Sequence, residues 1–218
     1  AQSEAEDFSS DHPLVQEYAA ENVALAQRNL EIAQTEVNLP NVESAIAINL
    51  QQVRLDSKVA KRILESKKVN KAYGEHLRSL RKKQPNIPAI QQRINAREVA
   101  LQDALFKHII AQEDLDTFNA TPFDINEMFK AHQLTHPQAE PLSETDRAHL
   151  QRANDSRRGH LNELAAISAL RSRKLEQVNE LHRKYLGEVK ELCALLDSRL
   201  LWLPSTETIG LSWPGKVL

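Results

Sequence analysis

The chain has 218 residues, of which 27% are charged and only 5% aromatic, with five glycines and a single cysteine. So few aromatic residues and glycines argue against an ordinary α/β or all-β domain, and the abundant Ala, Leu, Gln, Glu, Lys and Arg favour helices. A single cysteine excludes an internal disulfide framework. We therefore predict an all-α protein with few connections.

The formal net charge of −2 hides a strong segregation of charge along the chain. Residues 1–53 carry a net charge of −8 and residues 54–93 a net charge of +9, whereas residues 94–143 carry −5 and residues 144–218 carry +2. Such blocks are typical of helices that lie against others of opposite charge. We see no signal peptide and no apolar run near the ~20 residues that a bilayer span requires, so the chain as given is expected to be soluble.

The N-terminal part of the chain contains the first predicted helix. Residues 1–10 are acidic and polar and are predicted to be disordered, and residues 11–201 are predicted to form one helical coiled-coil domain. Asp11 is the expected N-cap and Pro13 the first helical position, because Pro tolerates the helix start. The first helix is predicted to run from about 13 to 70.

Two features interrupt the regularity of this first helix. Pro40 lacks a backbone donor and clashes with the preceding turn, so we expect a kink or break near it. Asn22 and Asn29 occupy positions in an otherwise apolar helical repeat, where polar residues weaken a coiled coil but help to set its register. The apolar residues of the main repeat are spaced by seven: Tyr18, Leu25, Ile32 and Leu39.

The helical pattern dissolves at 71–87, which we predict to be a turn region containing Gly74. Its basic tip is formed by Arg78, Arg81, Lys82 and Lys83. This basic helix-tip patch could contact anionic lipid headgroups, an acidic cell-wall polymer or nucleic acid. Alternatively it is a solvated tip whose charge balances the acidic first helix. The stretch has one aromatic residue and thus no stacking platform, so the solvated tip is favoured and no nucleic-acid partner is expected.

Two further long helices follow. The second is predicted at 88–118, with an apolar face on which Arg97 and His108 are the only exceptions. A turn at 119–142 contains a short helix, and the third long helix is predicted at 144–201 after a Ser143 cap and an Asp146 that completes a capping box. The remaining apolar positions of the second helix are Ile87, Ile90, Ile94, Leu101, Ala104, Ala111, Leu115 and Phe118. We predict an elongated antiparallel coiled coil of three long helices plus a short helix.

No motif in the chain predicts catalysis or metal binding. His132 and His136 have the spacing of a zinc pair, with Glu140 nearby, but Pro137 ends any helix there and no general base is correctly placed. We expect a solvated pair of loop histidines. The sequence lacks a Gly-rich phosphate loop, a nucleophile elbow and paired cysteines, and a helical rod offers little concave space. We predict no enzyme activity, no catalytic residues, no metal and no cofactor.

The third predicted helix ends in an apolar segment that contains a tryptophan and a proline: Leu200, Leu201, Trp202, Leu203 and Pro204. Trp202 could fold back on the helix end as a local core contact. It could also mark a membrane-proximal connection, because tryptophan is favoured at the bilayer interface. Residues 202–218 are too short for a domain and are predicted to be a connector.

Four stretches, in this order along residues 11–206, resemble the periplasmic helical ("porin"-type) region of the large MscS-family mechanosensitive channels of the MscK (potassium efflux protein KefA) type. They are DHPLVQEYAAENVALAQ at 11–27, RKKQPNIPAIQQR at 81–93, LSETDRAHLQRAN at 142–154 and LLDSRLLWLPST at 195–206. The last is the most specific, since in that family it marks where the helical region joins the part that carries the membrane helices.

The resemblance implies a channel that opens under membrane tension and releases potassium and other small solutes in osmotic stress. This chain would then be a domain on the periplasmic side of the bacterial inner membrane, within a multi-pass protein that forms a homo-oligomer. It would not conduct by itself. Its expected partner is the membrane channel domain of the same polypeptide. The cell wall and lipid headgroups are further candidate contacts.

Two other interpretations remain open from the sequence alone. Long helices with a polar tip also suit a periplasmic adaptor or scaffold coiled coil of another envelope system, which normally has β-rich sequence on both sides. The basic segment at 54–93 suits a coiled coil associated with nucleic acid, whose binding would depend steeply on salt.

Overall fold

In the computed structural model, the described residues are 10, 12–35, 38–66 and 71–200. Within these ranges the chain forms α-helices and no strand, which confirms the predicted all-α class. The six helices are α1 (Pro13–Thr35), α2 (Leu39–Glu65), α3 (Lys71–Lys83), α4 (Ile87–Ala120), α5 (Ile125–Thr135) and α6 (Glu144–Leu200). None of these helices is long and apolar enough to cross a bilayer.

The chain divides into two compact units, and both α4 and α6 contribute residues to each. The first unit comprises residues 1–40 and 98–177, and the second comprises residues 41–97 and 178–218. The first therefore contains α1, α5 and the longer part of α4, and the second contains most of α2, all of α3 and the last part of α6.

The first unit is built around hydrophobic contacts that α1 and α4 make with α6. Val15 and Leu150 are fully buried in one cluster, and each such side chain contributes about 1.5–3 kcal/mol by leaving water. Further clusters join Ala111 of α4 to Leu161 of α6 and Leu101 of α4 to Leu175 of α6. Since higher numbers on α4 meet lower numbers on α6, these two helices run in opposite directions.

Buried asparagines fix the register between α1 and α6. Asn22 donates its side-chain amide to the carbonyl oxygen of Ala153 at 2.7 Å, and Asn29 donates to that of His160 at 3.1 Å. Both pairs are separated by 131 residues, so α1 and α6 run in the same direction. Both asparagines are buried. These bonds are consistent with the predicted role of the two polar positions in setting register.

The second unit has the largest hydrophobic cluster. Its fully buried members include Leu77 of α3 and Leu192 and Leu196 of α6. Arg54 of α2 also donates to Glu188 of α6 at 2.9 Å. The core of this unit therefore holds α2, α3 and the start of α4 against the C-terminal part of α6.

Helix α6 begins with the capping box that the sequence predicts. The backbone N–H of Asp146 donates to the Ser143 hydroxyl oxygen at 3.1 Å, and the N–H of Ser143 donates to the Asp146 carboxylate at 3.0 Å. This reciprocal pair is a capping box that satisfies two backbone donors with no helical partner. It confirms Ser143 as the cap of the third long helix.

The start of α1 involves a residue that the sequence did not single out. The backbone N–H of Leu14 donates to Nδ1 of His12 at 3.2 Å, and His12 Nε2 lies 3.1 Å from the carbonyl oxygen of Glu140. Because Nδ1 accepts, the ring proton lies on Nε2, which donates. Asp11, the predicted cap, and residues 1–9 of the predicted disordered segment lie outside the described residues. Ser10 is buried and donates to Asp146 at 2.6 Å.

The first predicted helix, from 13 to 70, is not one helix. Helix α1 ends at Thr35 and α2 begins at Leu39, one residue before Pro40. Pro40 is the second residue of α2, where its missing N–H would have had no helical partner in any case. The proline thus starts a helix here and does not kink one.

The predicted turn at 71–87 is also wrong over most of its length. Residues 71–83 form α3, whose inner face buries Gly74, Leu77 and Leu80 at a spacing of three. Glycine costs about 1 kcal/mol in a helix relative to alanine. Burial of the two leucines outweighs that cost. The basic residues therefore lie on a helix, and the connection to α4 is only residues 84–86.

Candidate functional site

The predicted basic helix-tip patch includes one arginine that is committed to an ion pair. Arg81 Nε and Nη2 donate to the two carboxylate oxygens of Asp197 at 2.6 and 3.0 Å. This two-point hydrogen bond raises the pKa of Arg81 and lowers the pKa of Asp197. Both side chains remain substantially exposed, so the pair contributes at most about 1 kcal/mol. Its role is to join α3 to α6.

The other three residues of the basic patch differ from one another in their surroundings. Arg78 is half-buried and has an interaction partner. Lys82 and Lys83 are exposed, and Lys83 lines a groove in the second unit. All four residues lie in the last two turns of α3, with Arg81 in a helix–helix contact and Lys83 beside a cavity.

This groove in the second unit has a volume of about 610 Å³. Its walls come from α2, the connection between α3 and α4, the start of α4 and the last part of α6. Its charged side chains are three cations and one carboxylate: Lys83, Arg93, Arg97 and Asp56. The remaining lining residues are Val42, Ala45, Ile46, Asn49, Gln52, Val53, Gln84, Pro85, Ile90, His182 and Tyr185.

A buried histidine anchors one of the arginines of the groove. Arg97 Nη1 donates to Nδ1 of His182 at 2.9 Å. Because a guanidinium has no acceptor, His182 accepts this bond and its ring proton lies on Nε2. His182 is only 4% exposed, and its ring stacks on Tyr185 with the centroids 6.0 Å apart. The imidazole therefore positions Arg97 while itself remaining uncharged.

The groove has a net positive charge. Burial, and then the neighbouring Arg93, lower the pKa of Arg97. Burial, Arg97 and Arg93 likewise lower the pKa of His182. Arg93 and Arg97 are one helical turn apart, where like charges repel. The carboxylate of the groove, Asp56, accepts a hydrogen bond from Gln52 at 2.8 Å.

The lowered pKa of His182 predicts that acid destabilises the second unit. Below the ordinary histidine pKa of about 6.5, His182 is protonated in the unfolded chain but stays neutral in the folded chain. The free energy of unfolding therefore falls as the pH falls towards the lowered pKa of folded His182. We expect the free energy of unfolding to decrease from pH 7.5 to pH 5.5. His182→Gln, which retains an acceptor for Arg97, should decrease less over this range.

The measurement is urea denaturation at several pH values. His76→Gln serves as the matched control, because His76 is an exposed histidine on α3 of the same unit. The control should keep the wild-type pH dependence. If His182→Gln and the wild type have the same pH dependence, the lowered pKa of His182 is not the cause of the acid destabilisation.

The sequence predicts that His132 and His136 are a solvated pair of loop histidines. The structure places His136 in an exposed position after the end of α5, but it buries His132. His132 lies on α5 and is 6% exposed, and its Nδ1 is 3.6 Å from a carboxylate oxygen of Glu17. Its ring stacks on that of His136 with the centroids 4.4 Å apart. Helix α5 continues to Thr135, which carries His132 inward towards His12. No group of three potential ligands within the described ranges has a geometry that could hold a metal ion.

The predicted membrane-proximal connector lies almost entirely outside the described residues. Only Leu200 of this segment is described. It ends α6 and packs, partly buried, against the large cluster of the second unit. Leu201, Trp202, Leu203 and Pro204 lie outside, as do residues 205–218 of the predicted connector.

Two of the four stretches that carry the family resemblance meet in the first unit. Val15 of the stretch 11–27 and Leu150 of the stretch 142–154 lie in one hydrophobic cluster. Tyr18 donates to the side-chain oxygen of Asn154 at 3.2 Å, close to the hydrogen bond between Asn22 and Ala153. Stretches that are separated by more than 100 residues therefore form the contact between α1 and α6.

The other two stretches meet in the second unit. The ion pair of Arg81 and Asp197 joins the stretch 81–93 to the stretch 195–206. Ile90 and Leu196 belong to the same hydrophobic cluster. In each unit, then, the contact between two of these stretches holds one of the helices against α6.

Sequence reasoning missed the groove, although one signal for it was visible. Arg97 interrupts an otherwise apolar helical face, and the structure explains the exception by its hydrogen bond to His182. The partner lies 85 residues away, so no local pattern could reveal it. Comparison of the chain with protein-family models, curated proteins and solved structures found no match.

Proposed function

We propose that this chain is a periplasmic helical domain of an MscS-family mechanosensitive channel and modulates its gating or assembly in osmotic stress. It does not itself conduct or catalyse a reaction. The domain acts on the periplasmic side of the bacterial inner membrane, as part of a multi-pass protein. Its main partner is the membrane channel domain of the same polypeptide, and the full-length protein is a homo-oligomer.

The observation that carries this proposal is the pairing of the four stretches that resemble the channel family. They are far apart in sequence, yet the first contacts the third and the second contacts the fourth. The stretches that carry the resemblance are thus the ones through which helices of this chain pack against each other. This supports reading them as structural segments of a helical domain.

The arrangement that we propose for the whole domain is an elongated antiparallel coiled coil. In the first unit, α1 runs parallel to α6 and the longer part of α4 runs antiparallel to both. A rod of this kind suits a mechanical role, since a force applied at one end of a packed helix is transmitted along it. The basic residues of α3 would add contacts with lipid headgroups or cell-wall polymer in this setting.

The proposal is tested by patch-clamp recording from the full-length protein that contains this chain. We expect stretch-activated current from the wild type, with unchanged unitary conductance and a shifted tension threshold or altered assembly after deletion of residues 13–200. Conductance should persist because no pore residue is proposed within this chain. A full-length protein that gives no current under tension contradicts the channel assignment.

A point variant separates a specific effect from that of a gross deletion. Leu77→Ala removes a fully buried side chain from the second unit, whereas Leu55→Ala alters a leucine of the same unit that is 49% exposed. We expect the first to shift the tension threshold and the second to leave it unchanged. If the deletion and Leu77→Ala both leave threshold and assembly unchanged, the domain has no role in either.

A further inference from the structure

We propose that the groove of the second unit is a binding site for a small phosphate monoester, held by Arg93 and Arg97. This inference goes beyond the proposed function and does not depend on it. The geometry brings together two guanidinium groups, a lysine and a buried histidine at the wall of a cavity of about 610 Å³. That volume is within the range of sites for small organic ligands.

The charge of the groove matches a dianion. Three cations and one carboxylate line it, which leaves an excess of two positive charges. The two arginines lie one helical turn apart on α4, and Asp56, the one carboxylate among the lining residues, accepts from Gln52. A phosphate monoester carries a charge of about −1.5 to −2 at pH 7 and offers three acceptor oxygens. Guanidinium groups bind such oxygens in pairs.

The position of Arg97 is fixed before any ligand arrives. Its hydrogen bond to His182 uses one N–H and leaves the other donors of the guanidinium available. His182 in turn is held by burial and by stacking on Tyr185. A side chain that is already ordered loses less conformational entropy on binding, so the anchored arginine favours affinity.

The apolar part of the lining selects an ester over inorganic phosphate. Ile46, Val53 and Ile90 are buried core residues that also line the groove. An organic group attached to the phosphate can cover this apolar surface, and each buried CH₂ contributes about 0.8 kcal/mol. The alternative is that the arginines simply form a solvated basic face, in which case inorganic phosphate and an ester would bind equally weakly.

The test is calorimetric titration of the 218-residue chain with phenyl phosphate at pH 7.5 and low salt. For a ligand of this size we expect a Kd of about 1 mM or tighter, and weaker binding of inorganic phosphate. Arg93→Gln and Arg97→Gln should each weaken phenyl phosphate binding about tenfold or more, since each removes a charge-assisted contact. Circular dichroism monitors the fold, and a glutamine at 97 can still donate to His182.

Arg62→Gln is the matched control, because Arg62 is an exposed arginine of α2 that does not line the groove. It should keep wild-type affinity. Absence of saturable binding by about 10 mM, or an equal loss of affinity in all three variants, overturns the proposal. Equal affinity for phenyl phosphate and inorganic phosphate overturns the selection of an ester.

Vesicles distinguish a soluble ester from a lipid headgroup with the same chemistry. Phosphatidic acid in phosphatidylcholine vesicles presents a phosphate monoester at a membrane surface. A lipid source is supported if the chain binds these vesicles, if phenyl phosphate displaces it from them, and if Arg97→Gln weakens the binding. Arg97-dependent binding of phenyl phosphate without vesicle binding supports a soluble one.

Discussion

Leu77→Ala is expected to lower the free energy of unfolding by about 2–5 kcal/mol. Leu77 is fully buried in the large cluster of the second unit, where α3 meets α6. Its truncation removes apolar contacts and leaves a cavity that the surrounding helices fill only in part. Urea denaturation followed by circular dichroism gives the difference in unfolding free energy.

This variant also decides between the helix α3 and the turn that the sequence predicts at 71–87. A leucine in a solvated turn can be replaced with little effect, usually within about 0.5 kcal/mol. Leu55→Ala is the control, since Leu55 is a leucine of α2 in the same unit and is 49% exposed. A loss in Leu77→Ala no larger than that in Leu55→Ala would mean that α3 does not pack as described.

The sequence predicted those features of the fold that depend on residues close together in the chain. The apolar repeat of α4 gave its buried face, and Ile90, Ile94 and Leu101 are all buried. The start of α6 followed from Ser143 and Asp146, three residues apart, because a capping box is a local structure. Periodicity and capping are both contained within a few turns of one helix.

The prediction failed where distant contacts outweigh local preference. Gly74 and the neighbouring basic residues suggested a turn, but Leu77 and Leu80 gain enough from burial to hold α3 as a helix. Pro40 suggested a kink or break, and the structure places it in the first turn of α2, a position that also suits proline. Local propensity alone does not distinguish these outcomes, because the deciding energy comes from side chains elsewhere in the chain.

The groove could not be predicted for a related reason. Arg93 and Arg97 lie on α4, and His182 and Tyr185 lie on α6, so the site exists only once these helices pack antiparallel in a particular register. The sequence marked Arg97 as an exception on an apolar face, but it gave no partner. A charged residue on such a face is therefore a useful sign of a distant polar contact, even when the contact itself stays hidden.

Asn22→Asp is expected to destabilise the protein by about 2–4 kcal/mol at pH 7. The side-chain amide of Asn22 donates to the carbonyl oxygen of Ala153 at 2.7 Å, and Asn22 is 7% exposed. Aspartate keeps the shape but replaces this donor with a carboxylate oxygen that faces another acceptor in a buried site.

The sign of the pH dependence follows from the same contact. Burial and the opposing carbonyl favour the protonated acid, which can donate to Ala153, so the folded chain holds the proton to higher pH than the unfolded chain. The destabilisation should therefore be smaller at pH 4.5 than at pH 7. Asn162→Asp is the control, because Asn162 is an exposed asparagine of α6 that bonds only within its own helix. If both substitutions cost the same at pH 7, Asn22 does not set the register between α1 and α6 through a buried hydrogen bond.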